Sequence, residues 1–130
     1  MKEPIWIRQD VVLNMHEEAL MLHGGAEGVR DLGLLESALA SPKNLFAYSE
    51  QPPSVARLAA SYAKRIVANH PFVDANKRTA FTVSVTFLRL NGLQLTATKE
   101  DRVLTFWSLA AGEIIEDQLA QWFERNTAAR

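Results

Sequence analysis

The chain has 130 residues, 48% of them hydrophobic, a formal net charge of −1 and no cysteine. That length suits one domain with one core. The near-neutral charge argues against a general nucleic-acid binder, and the missing cysteine excludes disulfides, thiol catalysis and thiolate metal sites.

The opening run Met1-Lys2-Glu3-Pro4 leads into no long apolar stretch. Neither a signal peptide nor a membrane span is expected, and a soluble cytoplasmic protein is the default. Helical periodicity then dominates. Asp10 can cap a first helix carrying Val11, Val12, Met15, Ala19 and Leu22, which stops near Gly24-Gly25. Asp31 can cap a short second helix with Leu34, Leu35, Ala38 and Leu39, ended by Ser41-Pro42, and Asn44 to Gln51 reads as a loop or broken helix. Pro52-Pro53 precedes a third helix whose apolar face holds Val55, Leu58, Ala59, Tyr62, Ile66 and Val67. That helix cannot run comfortably past Asn69, because His70 precedes a proline and is pushed out of the helical region.

A fourth helix begins at Asn76 or Lys77 and runs to Leu90, with Asn91-Gly92 as its stop. Ala80, Phe81, Val83, Val85, Phe87 and Leu88 make it apolar on nearly all sides, the pattern of a central helix. Thr98-Lys99-Glu100-Asp101 resembles a capping box with Asp in place of Glu, opening a fifth helix with Val103, Leu104, Trp107 and Leu109. A last helix from Glu116 turns Leu119, Trp122 and Phe123 inward, while Ile5-Trp6-Ile7 and Leu93-Gln94-Leu95 suit short extended pieces. With no repeat, low-complexity tract or long linker, the expectation is a single all-α domain over residues 1–130 with a buried middle helix.

The run His70-Pro71-Phe72-Val73-Asp74-Ala75-Asn76-Lys77-Arg78 gathers a base, an apolar anchor, a carboxylate, an amide and two cations at a helix start. The first N–H groups of a helix lack internal partners and carry partial positive charge, so a phosphate is stabilised there. Arg78 can grip phosphate oxygens through parallel hydrogen bonds, Lys77 adds a point charge, and the Asn76 amide can donate to another oxygen. Asp74 suits magnesium, which is often held by one carboxylate plus substrate phosphates. A neutral His70 can take a proton from an attacking hydroxyl. Phe72 is expected to be buried, anchoring the loop so that His70 is held outward.

Taken singly, each residue has a plainer reading. Asp74 or Asn76 is more often an N-cap, Lys77 and Arg78 are more often solvated charges, and a lone histidine is more often structural. Six specified letters together are a coincidence on the order of one in a million for a chain this short. Elsewhere the signals are weaker. His16-Glu17 begins like a zinc-protease motif, but Leu20 stands where the second histidine belongs, so it reads as an exposed helix face. His23-Gly24-Gly25 reads as a helix stop. No G-x-x-x-x-G-K loop and no eukaryotic-type kinase signature is present.

His70 to Arg78 resembles the signature of the Fic/Doc (Fido) family, H-x-F-x-(D/E)-(A/G)-N-(G/K)-R. It follows the Doc, or death-on-curing, form through Thr79-Ala80. Gly28-Val29-Arg30-Asp31 with Leu34-Leu35-Glu36-Ser37-Ala38 resembles the family's early helix, and Phe87-Leu88-Arg89-Leu90-Asn91-Gly92 resembles the end of its central helix. The resemblance implies an all-α Fido fold with the motif loop between two central helices, and transfer of part of a nucleotide to a protein hydroxyl. Most Fic proteins transfer AMP and have Gly where this chain has Lys77, and a second Arg where it has Phe81. Both departures point to the Doc branch, whose members transfer the γ-phosphate of ATP to a threonine of elongation factor Tu and stop translation.

By that resemblance His70 is the general base, Asp74 the Mg2+ ligand, and Asn76, Lys77 and Arg78 hold phosphates, with Thr82 adding a hydroxyl one turn on. Doc toxins pair with an antitoxin whose C-terminal segment covers the active-site region. The built-in inhibitory motif of many Fic proteins, (S/T)-x-x-x-E-(G/N), is not matched: at Glu27-Gly28 the first position is His23. The leading expectation is a Doc-like toxin kinase using ATP and Mg2+, with no direct nucleic-acid or membrane binding. An adenylyltransferase on the same fold and a catalytically silent Fido-shaped regulator are the rivals.

Overall fold

Apolar residues recur at helical spacing from Val12 to Phe123, and the chain folds accordingly. The computed structural model describes residues 2–130; Met1, the first residue of the opening run read above, lies outside them. Among the described residues there are six helices: α1 Gln9–His23, α2 Leu32–Tyr48, α3 Val55–Asn69, α4 Asn76–Leu90, α5 Lys99–Ala110 and α6 Glu116–Arg125. Two short strands, β1 Leu93–Leu95 and β2 Thr127–Ala129, pair antiparallel with Gln94 opposite Ala128.

The core is built around α3 and α4. α3 packs against α2, α4 and α6, and α4 also meets α1. Leu58, Tyr62, Ile66, Val83, Phe87 and Leu88 are fully buried, as expected of a central helix pair. Alanines at 56, 59, 60 and 63 let neighbouring helices approach α3 closely. The hydroxyl oxygen of Tyr62 accepts the Ile7 N–H at 3.1 Å, and burial raises the phenol pKa to about 12.

Helix starts follow side-chain capping at three places. Asp31 accepts from Leu34 N–H, Ser54 from Arg57 N–H and Thr98 from Asp101 N–H. Asp10 does not cap α1; Arg8 stands at that position and Asp10 lies in the first turn, where its charge suits the helix dipole. The box expected at Thr98 is half formed, because the Asp101 carboxylate accepts Trp122 Nε1–H at 3.0 Å.

One further expectation is corrected. α2 does not stop at Pro42 but continues to Tyr48. Proline removes one helical hydrogen bond, but Pro42 is buried and Leu45 and Phe46 pack on the core beyond it, so tertiary contact outweighs the break. Ile5-Trp6-Ile7 lies outside any helix or sheet: the Ile5 N–H and C=O both bond the Asn91 side chain, and Trp6 packs between Phe46 and Phe87. β1 pairs with the C-terminal β2. Of the apolar residues that mark α5, Leu109 is buried with Phe106, while Val103, Leu104 and Trp107 are exposed.

Candidate active site

The loop between α3 and α4 is set by two left-handed residues. His70, at φ 49° and ψ 55°, closes α3 by donating its N–H to the Ile66 carbonyl at 3.0 Å. Ala75, at φ 63°, opens α4. Residues other than glycine in this region carry strain on the order of 1–3 kcal/mol each, which persists only where the surroundings hold it. The pre-proline restriction thus ends α3 at Asn69 as expected, but through a left-handed cap in place of an extended residue.

Three groups hold that loop. Asn76 is buried, its Oδ1 accepting the Phe72 N–H at 3.0 Å and its Nδ2 donating to the Phe72 carbonyl at 3.0 Å. A strap from Gly25 to Asp31 runs antiparallel to the loop, with Val29 bridged to Phe72. Arg30 N–H donates to the Pro71 carbonyl, and the Arg30 guanidinium donates to the carbonyls of His70 at 2.7 Å and Asn69 at 2.9 Å. The third group is His16 of α1, whose ring stacks on Phe72 with centroids 3.8 Å apart and whose Nε2 lies 2.9 Å from the Asp74 carbonyl. Phe72 is fully buried, as the anchor reading requires.

What the loop presents is a hollow of about 370 Å³ lined by His70, Asp74, Ala75, Asn76, Lys77 and Arg78 of the motif and by Val67 and Ala110. The α4 N-terminus has no side-chain cap, so its first N–H groups are free for an anion. Asp74 is exposed and its pKa is lowered, first by the N–H groups of Ala75 and Ala26 and less by the charge of Arg78. The carboxylate is therefore ionised at neutral pH. Among the described residues no group of three or more His, Cys, Asp or Glu side chains comes together. One free-standing carboxylate beside a phosphate-binding helix end fits an ion shared with substrate oxygens better than an all-protein cage.

His70 is exposed, and its Nδ1 lies 3.2 Å from Asn76 Nδ2. The Phe72 backbone fixes which way the Asn76 amide points, so Nδ1 is the accepting nitrogen and the neutral ring carries its hydrogen on Nε2. Base work at Nε2 requires that hydrogen to move to Nδ1 and the Asn76 contact to be given up.

The other expected residues divide. Lys77 and Arg78 line this hollow and a larger neighbouring one of about 600 Å³, which also holds Phe81, Lys99, Arg102 and Phe106. Lys77 is half-buried where exposure was expected, its Nζ resting 4.8 Å from the Trp107 ring centroid. The Asn76 side chain is not free to grip a phosphate, since its polar atoms are committed within the loop. Contact from that residue would come from its backbone N–H. Thr82 lines neither hollow, and its hydroxyl donates to the Arg78 carbonyl at 3.1 Å. Neither Asp74 nor Asn76 is the N-cap of α4; Ala75 is.

His16 is the clearest miss. The sequence suggests an exposed helix face there, whereas His16 is buried against the motif loop. The signal was present, because Val12, His16 and Ala19 share one helical face and the flanking pair is apolar. Arg30 and Gly25 were missed because their partners lie some forty or more positions away. At Gly25 a Cβ would come within 2.9 Å of the Asp74 carboxylate, so the residue is more than a helix stop. Glu27-Gly28 lies in the strap, outside any helix, and forms no inhibitory helix.

The profile of the Fic/DOC family matches residues 6–88. The chain is 42% identical over 74 residues to "Toxin Doc" of Mycolicibacterium smegmatis (strain ATCC 700084 / mc(2)155), a match covering 57% of each protein. It is 31% identical over 119 residues to "Protein kinase doc" of Escherichia phage P1, covering 92% of this chain and 93% of that protein. The matched region is thus a little over half of the first relative's length and nearly all of the second's.

Proposed function

The chain belongs to the Fic/DOC family, and on that premise we propose that it is a Doc-type toxin of a toxin–antitoxin pair, acting as a single domain. Its reaction in this reading is transfer of the γ-phosphate of ATP to a threonine hydroxyl of elongation factor Tu, which arrests translation. The relatives named as a Doc toxin and a Doc protein kinase support the class. The observation that carries it is the convergence of His70, Asp74, Lys77, Arg78 and the uncapped α4 N-terminus on one hollow.

Once its ring hydrogen has moved from Nε2 to Nδ1, His70 takes the proton of the attacking hydroxyl on Nε2 as the new oxygen–phosphorus bond forms and the bond to the departing ADP breaks. Asp74 would hold Mg2+, which would supply positive charge to offset that of the phosphates. Lys77, Arg78 and the free N–H groups of α4 hold the phosphates in line. The charge at that helix end, unfavourable for a resting dipole, becomes attraction once a polyanion sits there. An antitoxin segment is expected to cover the hollow, and the exposed Val103, which lines the neighbouring hollow, and Trp107, against Lys77, suit such a cover. The proposed place of action is the cytoplasm, and among the described residues no helix is long and apolar enough to cross a membrane.

The test is incubation with elongation factor Tu, magnesium and ATP labelled at the α or the γ position. Label arriving only from the γ position, with intact mass raised by one phosphate, is the expected result. Label from the α position would move the chain to AMP transfer. A His70→Ala variant as toxic in cells as the parent would remove catalysis from the account.

A further inference from the structure

We propose that His16 is a positioning residue for the Asp74 carboxylate, acting through the Asp74 backbone. The inference rests on Asp74 being the metal ligand of the reading above. His16 is 5% exposed, although histidine is not an obvious choice on an apolar helix face. Its ring lies flat on Phe72, with 9° between the planes, while its Nε2 sits 2.9 Å from the Asp74 carbonyl oxygen. A carbonyl only accepts, so Nε2 donates and carries the ring hydrogen. One side chain from α1 therefore holds the motif on both sides of the exposed Val73.

The bond matters because of where the Asp74 carbonyl is. That carbonyl belongs to the peptide joining Asp74 to Ala75, and the left-handed φ of 63° at Ala75 is the rotation of this peptide plane about the Ala75 N–Cα bond. Released, the plane can turn toward ordinary backbone angles. The Ala75 N–H would turn with it, and that N–H is one of the two that hold the Asp74 carboxylate, at 2.8 Å. The His16 donor thus fixes the direction of the carboxylate without touching it. A metal ligand must be held to within about 0.5 Å of its working place, and removing such supporting bonds elsewhere weakens metal binding roughly 10–100-fold.

The first test uses the parent protein without metal. Nitrogen NMR of the histidine rings at pH 8 is expected to show the His16 hydrogen on Nε2; a hydrogen on Nδ1 with Nε2 bare would overturn the proposal. The second compares two variants by Mg2+ titration of the Ala75 amide signal and by kinetics. His16→Phe keeps a ring on Phe72 and loses the donor, so half-saturating Mg2+ should rise roughly tenfold or more, with the KM for ATP little changed once Mg2+ is saturating. His16→Gln places an amide N–H the same number of bonds from the backbone and should restore most of the loss. Parent-like Mg2+ dependence in His16→Phe, or a Gln variant as impaired as the Phe one, would refute the role. Asp74→Asn is the control: if it binds Mg2+ as the parent does, the metal reading itself fails, whereas an impaired Asp74→Asn beside a normal His16→Phe removes only His16. Should neither His16 variant fold, the ring spectrum of the parent decides alone.

Discussion

Truncating Phe72 to alanine tests whether the motif loop is fastened to the core or merely lies on it. The side chain is fully buried and stacks on the His16 ring at 3.8 Å. Burial of this completeness puts a Phe→Ala change at about 3–5 kcal/mol, the lost transfer energy plus the cavity left behind. The stacked pair alone is worth about 0.5–1.5 kcal/mol of that. For a domain of this size the loss corresponds to a fall in Tm of about 10–20 °C. Thermal unfolding followed by circular dichroism measures it, and urea titration with an unchanged slope would show that the native state weakened. Phe72→Leu should fall between parent and alanine, because most apolar volume stays while the aromatic stack goes. Activity of the folded alanine variant should also drop, since the strained residues His70 and Ala75 flank the loop that Phe72 anchors. A Tm change under about 5 °C, with secondary structure intact, would refute the anchoring argument.

Changing Lys77 to Gly should lower phosphate transfer far more than stability, because its side chain lines two hollows and lies outside the buried core; a collapse in Tm without a specific kinetic loss would contradict this. Asp74 has a folded pKa below its unfolded value, so its contribution to stability is present above about pH 4 and is lost as pH falls through the lower folded value. The difference in urea midpoint between parent and Asp74→Asn should therefore shrink on acidification from pH 5 to pH 2. Tyr62 has the opposite sense for an acid: its folded pKa of about 12 exceeds the ordinary 10.0, so the unfolded chain loses that proton first and stability drops from pH 10 upward. The drop approaches roughly 3 kcal/mol above pH 12, and Tyr62→Phe should abolish that part of the alkaline slope in urea titrations while losing the hydrogen bond to Ile7.

Local chemistry made much of this molecule legible. Asp31 and Thr98 cap helices where short polar side chains precede apolar periodicity, and Asn91-Gly92 stops α4. Pro42 misled because a propensity rule weighs one lost hydrogen bond and cannot weigh the core contacts of Leu45 and Phe46 beyond it. The C-terminal strand was invisible for a related reason, since Thr127 to Ala129 pair with residues more than thirty positions earlier.

The candidate site divides along the same line. By itself the sequence supplied its chemical groups: a histidine, a carboxylate, two cations and a helix start within nine residues. It also pointed to Phe72 as the buried anchor, since a large aromatic side chain in the motif loop gains most by leaving water. Only the tertiary structure decided that Asn76 braces the loop in place of reaching for phosphate, that Thr82 stays outside, and that His16 and Arg30 come across from distant segments. The physical reason is that a left-handed backbone residue is unfavourable on its own. The groups that hold one in place are chosen by proximity in the fold, not by spacing along the chain.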